Sequence, residues 1–304
     1  MTVSEPARAA TTIDSAPAAR RTGSLFLAAP GLLAAVAIAG CATTAPQHEA
    51  SHWTPQPASA EELQAIAAIT ATGRAIHRQD QFVWHASDAY VVATHHRPAP
   101  PGSSYAVTER DGHVRVSFLA EEHGRLRVRG DVEMGRSAPE VTLDPVREPD
   151  EGERVQVRAR ETALAAAPNV CEGPRNTVVL PVEGGALDVF VLAASSNPAV
   201  VPVGGHARVR VSADGATVLE LEPYSKACIS FDTREQDGAH GTRTAALMAT
   251  LVLSNLPSPT HVYTSLTYPW PIMLASDTHL WEVADGRIVA VEPSSKDGGK
   301  PSTP

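Results

Sequence analysis

The sequence predicts an α+β domain in which antiparallel sheets, built from several hairpins, are covered by two helices. Three observations carry this reading. Asp111-Gly112, Asp214-Gly215 and Asp285-Gly286 each separate two runs of alternating apolar and polar residues, the signature of a tight hairpin turn. Residues 60–79 and 153–167 instead repeat apolar residues at helical spacing. Aromatic residues make up only 5% of the chain, so Val, Leu, Ile and Ala must fill most of the core.

The elements follow in order. Ser59-Ala60-Glu61-Glu62 reads as a capping box, and Leu63, Ile66, Ile69, Gly73 and Ile76 continue near helical spacing, so the folded domain opens with a helix at 60–79. Residues 82–85 and 89–95 read as extended, with a turn at Ser87-Asp88, before a proline-rich loop at 96–103. Tyr105 to Glu109 and His113 to Phe118 form a hairpin in which Val114, Val116 and Phe118 face inward while His113, Arg115 and Ser117 face water. Gly124 leads into another strand, whose Arg125, Arg127 and Arg129 are solvated positions rather than a binding stripe. Residues 135–152 form a polar surface loop.

Val155-Gln156-Val157 alternates like a strand, but the alanine content favours a second helix at 153–167, stopped by Pro168. Residues 177–182 and 187–193 pair across Gly184-Gly185, and 206–212 pairs with 217–221. Residues 245–253 fit helix or strand. Residues 260–267, 271–275, 280–284 and 287–291 read as short strands, and 293–304 as a disordered tail. A helix followed by hairpins occurs twice, the outline of an α+β duplication dividing near 135–152.

The stretch Leu25–Cys41 sets the compartment. Its apolar run ends at Ala39 and is about as long as a secretory h-region, shorter than the roughly 20 residues of a membrane span. Arg20-Arg21 precede it as ordinary n-region charge, since Thr22-Gly23-Ser24 follow where a twin-arginine signal wants large apolar residues. Ile38-Ala39-Gly40-Cys41 resembles the bacterial lipobox, in which signal peptidase II cuts before a cysteine carrying diacylglycerol. The resemblance implies lipid attachment at Cys41 and a signal peptide of residues 1–40. Residue 42 is Ala. An Asp at that place would resemble the inner-membrane retention signal of enterobacterial lipoproteins, so the absence of Asp favours transfer to the outer membrane. Cleavage after Ala39 or Ala45 by an ordinary signal peptidase is the competing reading.

The whole chain carries a formal charge of −9, and residues 1–40 hold three arginines, one Glu and one Asp, so the remainder stands at −10. That sign excludes nucleic acid as an expected partner. With Cys41 acylated, Cys171 and Cys228 are left as an even pair in an oxidising compartment and are expected to form a disulfide. Residues 41–58, rich in Ala, Thr, Pro and Gln, read as a tether, and 59–292 as one domain.

Chemical motifs are few. His48-Glu49-Ala50-Ser51-His52 fits HExxH, but that chemistry needs both histidines on one face of a buried helix, and this copy sits among prolines in the tether. His85, Asp88, His95 and His96 lack a spacing that forces them together around a metal. GxSxG, P-loop, Rossmann and SxxK patterns are absent. No cofactor is expected. Gly204-Gly205-His206, Tyr224, Lys226, His261, His279 and Trp281 lie beside predicted strand ends, which makes His206, Lys226, His261, His279 and Trp281 the candidate ligand-binding residues.

The words Asn176–Pro181, Asp188–Ala194, Gly204-Gly205-His206, Cys228, Leu280-Trp281 and Arg287-Ile288 resemble a group of exported proteobacterial proteins with no assigned activity. The expectation is therefore an envelope lipoprotein on the periplasmic face of a Gram-negative outer membrane. The acyl chains hold it to the membrane, and its noncatalytic domain binds an envelope protein, a glycan or a small ligand. An envelope hydrolase whose site is assembled from distant residues and a periplasmic metal-binding protein are the alternatives.

Overall fold

A computed structural model describes residues 53–100, 102–135, 138–234 and 243–292. The expected signal peptide, Cys41, the HExxH match and the expected disordered tail at 293–304 lie outside them. Among the described residues, three helices and mainly antiparallel sheets make an α+β fold, as the turn dipeptides predict.

Helix α1 (Ala60–Ala93) opens on the expected capping box: the Glu62 amide donates to Ser59 Oγ at 3.2 Å and the Ser59 amide to Glu62 Oε2 at 2.8 Å. It runs for 34 residues, about 50 Å. The two strands expected at 82–85 and 89–95 are therefore its last turns. Phe82, Val83, Ala86, Ala89 and Tyr90 pack on the first sheet through Val114, Val116 and Val132. That contact outweighs the extended preference of the β-branched and aromatic residues.

Strands β1 (Ser104–Arg110), β2 (His113–Glu122), β3 (Arg125–Met134) and β4 (Glu140–Thr142) form the first sheet in chain order. Asp111 and Gly112, at φ 52° and 77°, both lie in the left-handed region that a tight two-residue hairpin requires. Ser117 does not face water as expected. It is buried, and its hydroxyl meets Asp131 Oδ1 at 2.6 Å and Glu153 Oε1 at 2.7 Å.

Helix α2 (Glu151–Ala166) carries Glu153 in its first turn, capped by Asp150. Arg147, in the segment expected to be a surface loop, clamps it: the guanidinium donates to both Glu153 oxygens at 2.6 and 2.8 Å and to both Asp131 oxygens at 2.8 and 2.9 Å. Burial pushes the Glu153 carboxyl up, but the Arg147, Ser117 and Asp150 hydrogen bonds overcome it and bring the pKa down to about 2.

Strands β5 (Arg175–Pro181), β6 (Leu187–Ala193), β8 (Ala207–Val211) and β9 (Val218–Pro223) form the second sheet, while β7 (Val200–Pro202) leaves it to pair with β10 (Ser230–Asp232). The alanines of α2, Ala159 and Ala163, pack against Val189, Val191 and Val209 on one face of this sheet. Gly215 allows the β8–β9 turn to meet α2: a Cβ there would lie 2.6 Å from the Val155 carbonyl. Phe190 and Leu192 on the opposite face meet Ile76 of α1.

The third sheet joins β11 (Leu247–Thr250), β12 (Ile272–Ala275), β13 (Leu280–Ala284) and β14 (Arg287–Ala290), with β11 parallel to β12. Residues 260–267 were expected as a strand and are helix α3 (Pro259–Thr267). Pro259 stands in its first turn, where a missing N–H costs nothing. Val262 packs beside Gly73 of α1, with Ile66, Leu274 and Trp281 completing the core.

The edges of the first two sheets are blunted. Gln156 of α2 takes the place of a neighbouring strand for β1, accepting from the Val107 amide at 2.9 Å and donating to its carbonyl at 2.8 Å. Gln79 of α1 does the same for Val179 of β5, with both bonds at 3.0 Å. β4 is three residues long, and β9 carries a register shift beside Val218 and ends on Pro223. These are common protections against stray strand pairing.

Candidate functional site

One face of the second sheet carries charge, because alternate residues of neighbouring strands share it. Arg208 stands opposite Glu222, Arg210 opposite Glu220, and Asp188 opposite Arg210. Arg210 donates to Asp188 through two parallel bonds of 2.8 and 2.9 Å. Arg208 reaches Glu222 and Glu220, each at 2.8 Å. Ala68, Ile69 and Thr72 of α1 and the segment 254–259 face this array across a cleft of about 360 Å³. Tyr224 and Phe190 line it beside the charges.

The chemistry of the cleft follows from its pairing. Two arginines face Asp188, Glu220 and Glu222, which leaves one formal negative charge. Burial pushes the Arg208 pKa down, but Glu222 and Asp188 raise it overall; the Asp188 bond raises that of Arg210. Burial and then Glu222 hold the Tyr224 phenol protonated well above its usual range. Every carboxylate here already accepts from an arginine, an arrangement that offers fixed donors and acceptors to a polar ligand rather than a free base.

The sequence-predicted residues lie elsewhere. His206 and His261 are buried, and His206 lies close enough to disfavour charge on His261. His206 Nδ1 accepts from the Ala193 amide at 3.0 Å, and His261 Nδ1 from the Ser258 amide at 2.9 Å. Burial lowers their pKa values to about 4 and about 3, so both rings are neutral near pH 7. His279 stacks on Trp281 at 5.1 Å, with Nε2 3.5 Å from Glu62. Trp281 is fully buried and donates to the Asn255 carbonyl at 2.8 Å. Lys226 is exposed. None of these five lines the charged cleft; Tyr224, grouped with them by sequence, does.

Gly204 and Gly205 have a packing role. A Cβ on Gly205, at φ 85°, would lie 2.3 Å from Cys171 Sγ. Cys171 and Cys228 form the expected disulfide, their Cα atoms 4.9 Å apart. His85 stacks on Trp84, and among the described residues no group of three or more His, Cys, Asp or Glu side chains is arranged to hold a metal. No described helix is long and apolar enough to cross a membrane.

The cleft residues missed in the sequence had a visible signal. Arg208-Val209-Arg210 and Glu220-Leu221-Glu222 flank one hairpin turn, and opposite charges at period two on paired strands predict cross-strand ion pairs.

No protein family, curated protein or solved structure matches the chain.

Proposed function

We propose that this chain is an envelope lipoprotein, acylated at Cys41 and held on the periplasmic face of a Gram-negative outer membrane, whose domain binds a polar partner without catalysis. The observation that carries the reading is Leu25–Cys41, a short apolar run ending in aliphatic-small-small-Cys. Two or three acyl chains at one cysteine anchor firmly, because each buried methylene contributes about 0.8 kcal/mol. Trp53 and Gln56, near the end of the expected tether, bond to the Asp277 and Thr278 carbonyls at 2.9 and 2.7 Å, so the described chain begins beside the third sheet. The array Asp188, Arg208, Arg210, Glu220 and Glu222 supports binding, since its carboxylates are committed to arginines.

Inhibition of signal peptidase II in cells expressing the full chain tests the anchor. The reading predicts accumulation of a precursor heavier by the 1–40 segment, in the inner membrane. Unchanged processing under the inhibitor means that an ordinary signal peptidase acts on the chain.

A further inference from the structure

Beyond the charged cleft, a second concave site lies where the C-terminal turns of α1 meet the first sheet. His95 and His96, at φ 55° and 56°, turn the chain back after α1. Non-glycine residues adopt that conformation at a cost, and it brings residues 97–100 beside Tyr90. A cleft of about 220 Å³ results, walled by Val91, Pro100, Phe118 and Leu119. It adjoins a second of about 370 Å³ that reaches Leu143, Asp144 and Val146, and the two share Tyr90, Arg97, Ala99, Pro100 and Arg129.

Val91, Phe118 and Leu119 make the first cleft's wall largely apolar, while Arg97 and Arg129 bring positive charge and Tyr90 a hydroxyl to the region the two clefts share. Tyr90 stacks on Phe118 with ring centroids 4.3 Å apart. Gly130 makes room for that ring, since a Cβ there would lie 2.7 Å from it. Arg129 pairs with Glu122, whereas Arg97 forms no ion pair among the described residues. An anion at Arg97 would thus gain a partner without breaking a pair, and an apolar tail beside it would cover Phe118 and Leu119.

We infer that this trench binds a single-chain amphiphile with an anionic carboxylate head, the head at Arg97 and Arg129 and the chain along Phe118. A free anion would leave the apolar walls uncovered, and a cationic amphiphile would meet Arg97. The enclosure beneath residues 97–100 fits one molecule better than a bilayer surface.

The test uses the whole chain with Cys41→Ser, which removes the protein's own acyl group, and dodecanoate below its micelle concentration, followed by calorimetry. Dodecanoate is expected to bind at one site. Dodecyltrimethylammonium, with the same tail and opposite charge, and acetate, with the head alone, are expected to bind at least about tenfold more weakly. Arg97→Gln should weaken dodecanoate about tenfold while leaving the melting temperature unchanged, because Arg97 makes no ion pair to lose. Val91→Glu, at a position 40% exposed, should do the same by repelling the head. Equal binding of both amphiphiles, or an Arg97→Gln affinity equal to that of the unsubstituted trench, overturns the proposal. So does Arg97-dependent binding to anionic phospholipid vesicles without binding of dodecanoate, which would make the bilayer the partner.

Discussion

Gln79 on α1 and Gln156 on α2 make the same pair of bonds in opposite halves of the fold: each helix seals the first strand of the sheet that follows the other helix. The two helix-and-sheet halves are thereby cross-linked through side-chain amides that imitate a missing strand. Each amide satisfies one backbone N–H and one C=O at a partly buried edge.

Gln79→Ala and Gln156→Ala should each destabilise the domain by about 1–3 kcal/mol, the cost of leaving such groups unmet. Gln156→Glu should cost at least as much as the alanine change, since a carboxylate cannot donate to the Val107 carbonyl. Urea unfolding of the three variants checks this; a loss within about 0.5 kcal/mol of zero for both alanine variants would mean that water replaces the amides without penalty.

Much of the fold was legible because hairpin signals are local. The turns at 111–112, 184–185, 214–215 and 285–286 and the alternation beside them require only neighbouring residues. The end of α1 and all of α3 were not legible for the opposite reason. Phe82-Val83-Trp84, Tyr90-Val91-Val92 and Thr260–Thr264 favour extended backbone locally, and their helices depend on packing against distant elements: the first sheet for α1, Gly73 and Leu274 for α3. Ser117 looked like a water-facing position because a partner 36 residues away, Glu153, cannot be read from alternation. The histidines drew attention as chemical groups, yet burial makes His206 and His261 part of the core. The charged cleft was spelled in paired strands but needed α1 as its far wall.

Arg147→Met should cost about 3–5 kcal/mol, because Glu153 is 0% exposed and would lose both bonds to its main partner. Arg115, with Nη2 at 3.5 Å from Glu153, places the effect toward the lower end. Adding Glu153→Gln should restore part of the loss by removing the stranded charge. A double variant less stable than Arg147→Met would contradict this account of the clamp.

Gly73→Ala sets two effects against each other. Helix propensity favours alanine by about 1 kcal/mol. The new Cβ, however, would lie 2.4 Å from Val262 Cβ and 2.5 Å from the Pro259 carbonyl, with overpacking costs of about 1–3 kcal/mol. Net destabilisation is expected, with α3 displaced; thermal unfolding that shows stabilisation would rule out so close an α1–α3 contact.

Acid should weaken the fold through His206 and His261. Their folded pKa values, about 4 and about 3, lie below the ordinary histidine value near 6.5, so the unfolded chain binds more protons. The stability they contribute is complete above pH 6.5 and is lost as pH falls toward 4 and then 3. Each adds a slope of up to about 1.4 kcal/mol per pH unit within its window. Unfolding free energies at pH 7.5, 5.5 and 4.5 should show this fall, and His261→Asn, which keeps a capping acceptor, should flatten it.

The proposed anchored binding domain rests on one atom, Cys41 Sγ, as its lipid attachment point. Cells expressing the full chain should incorporate radiolabelled palmitate and carry the protein in the outer-membrane fraction, and Cys41→Ala should abolish the label. Label that survives Cys41→Ala, or its absence from the unsubstituted chain, would contradict the account.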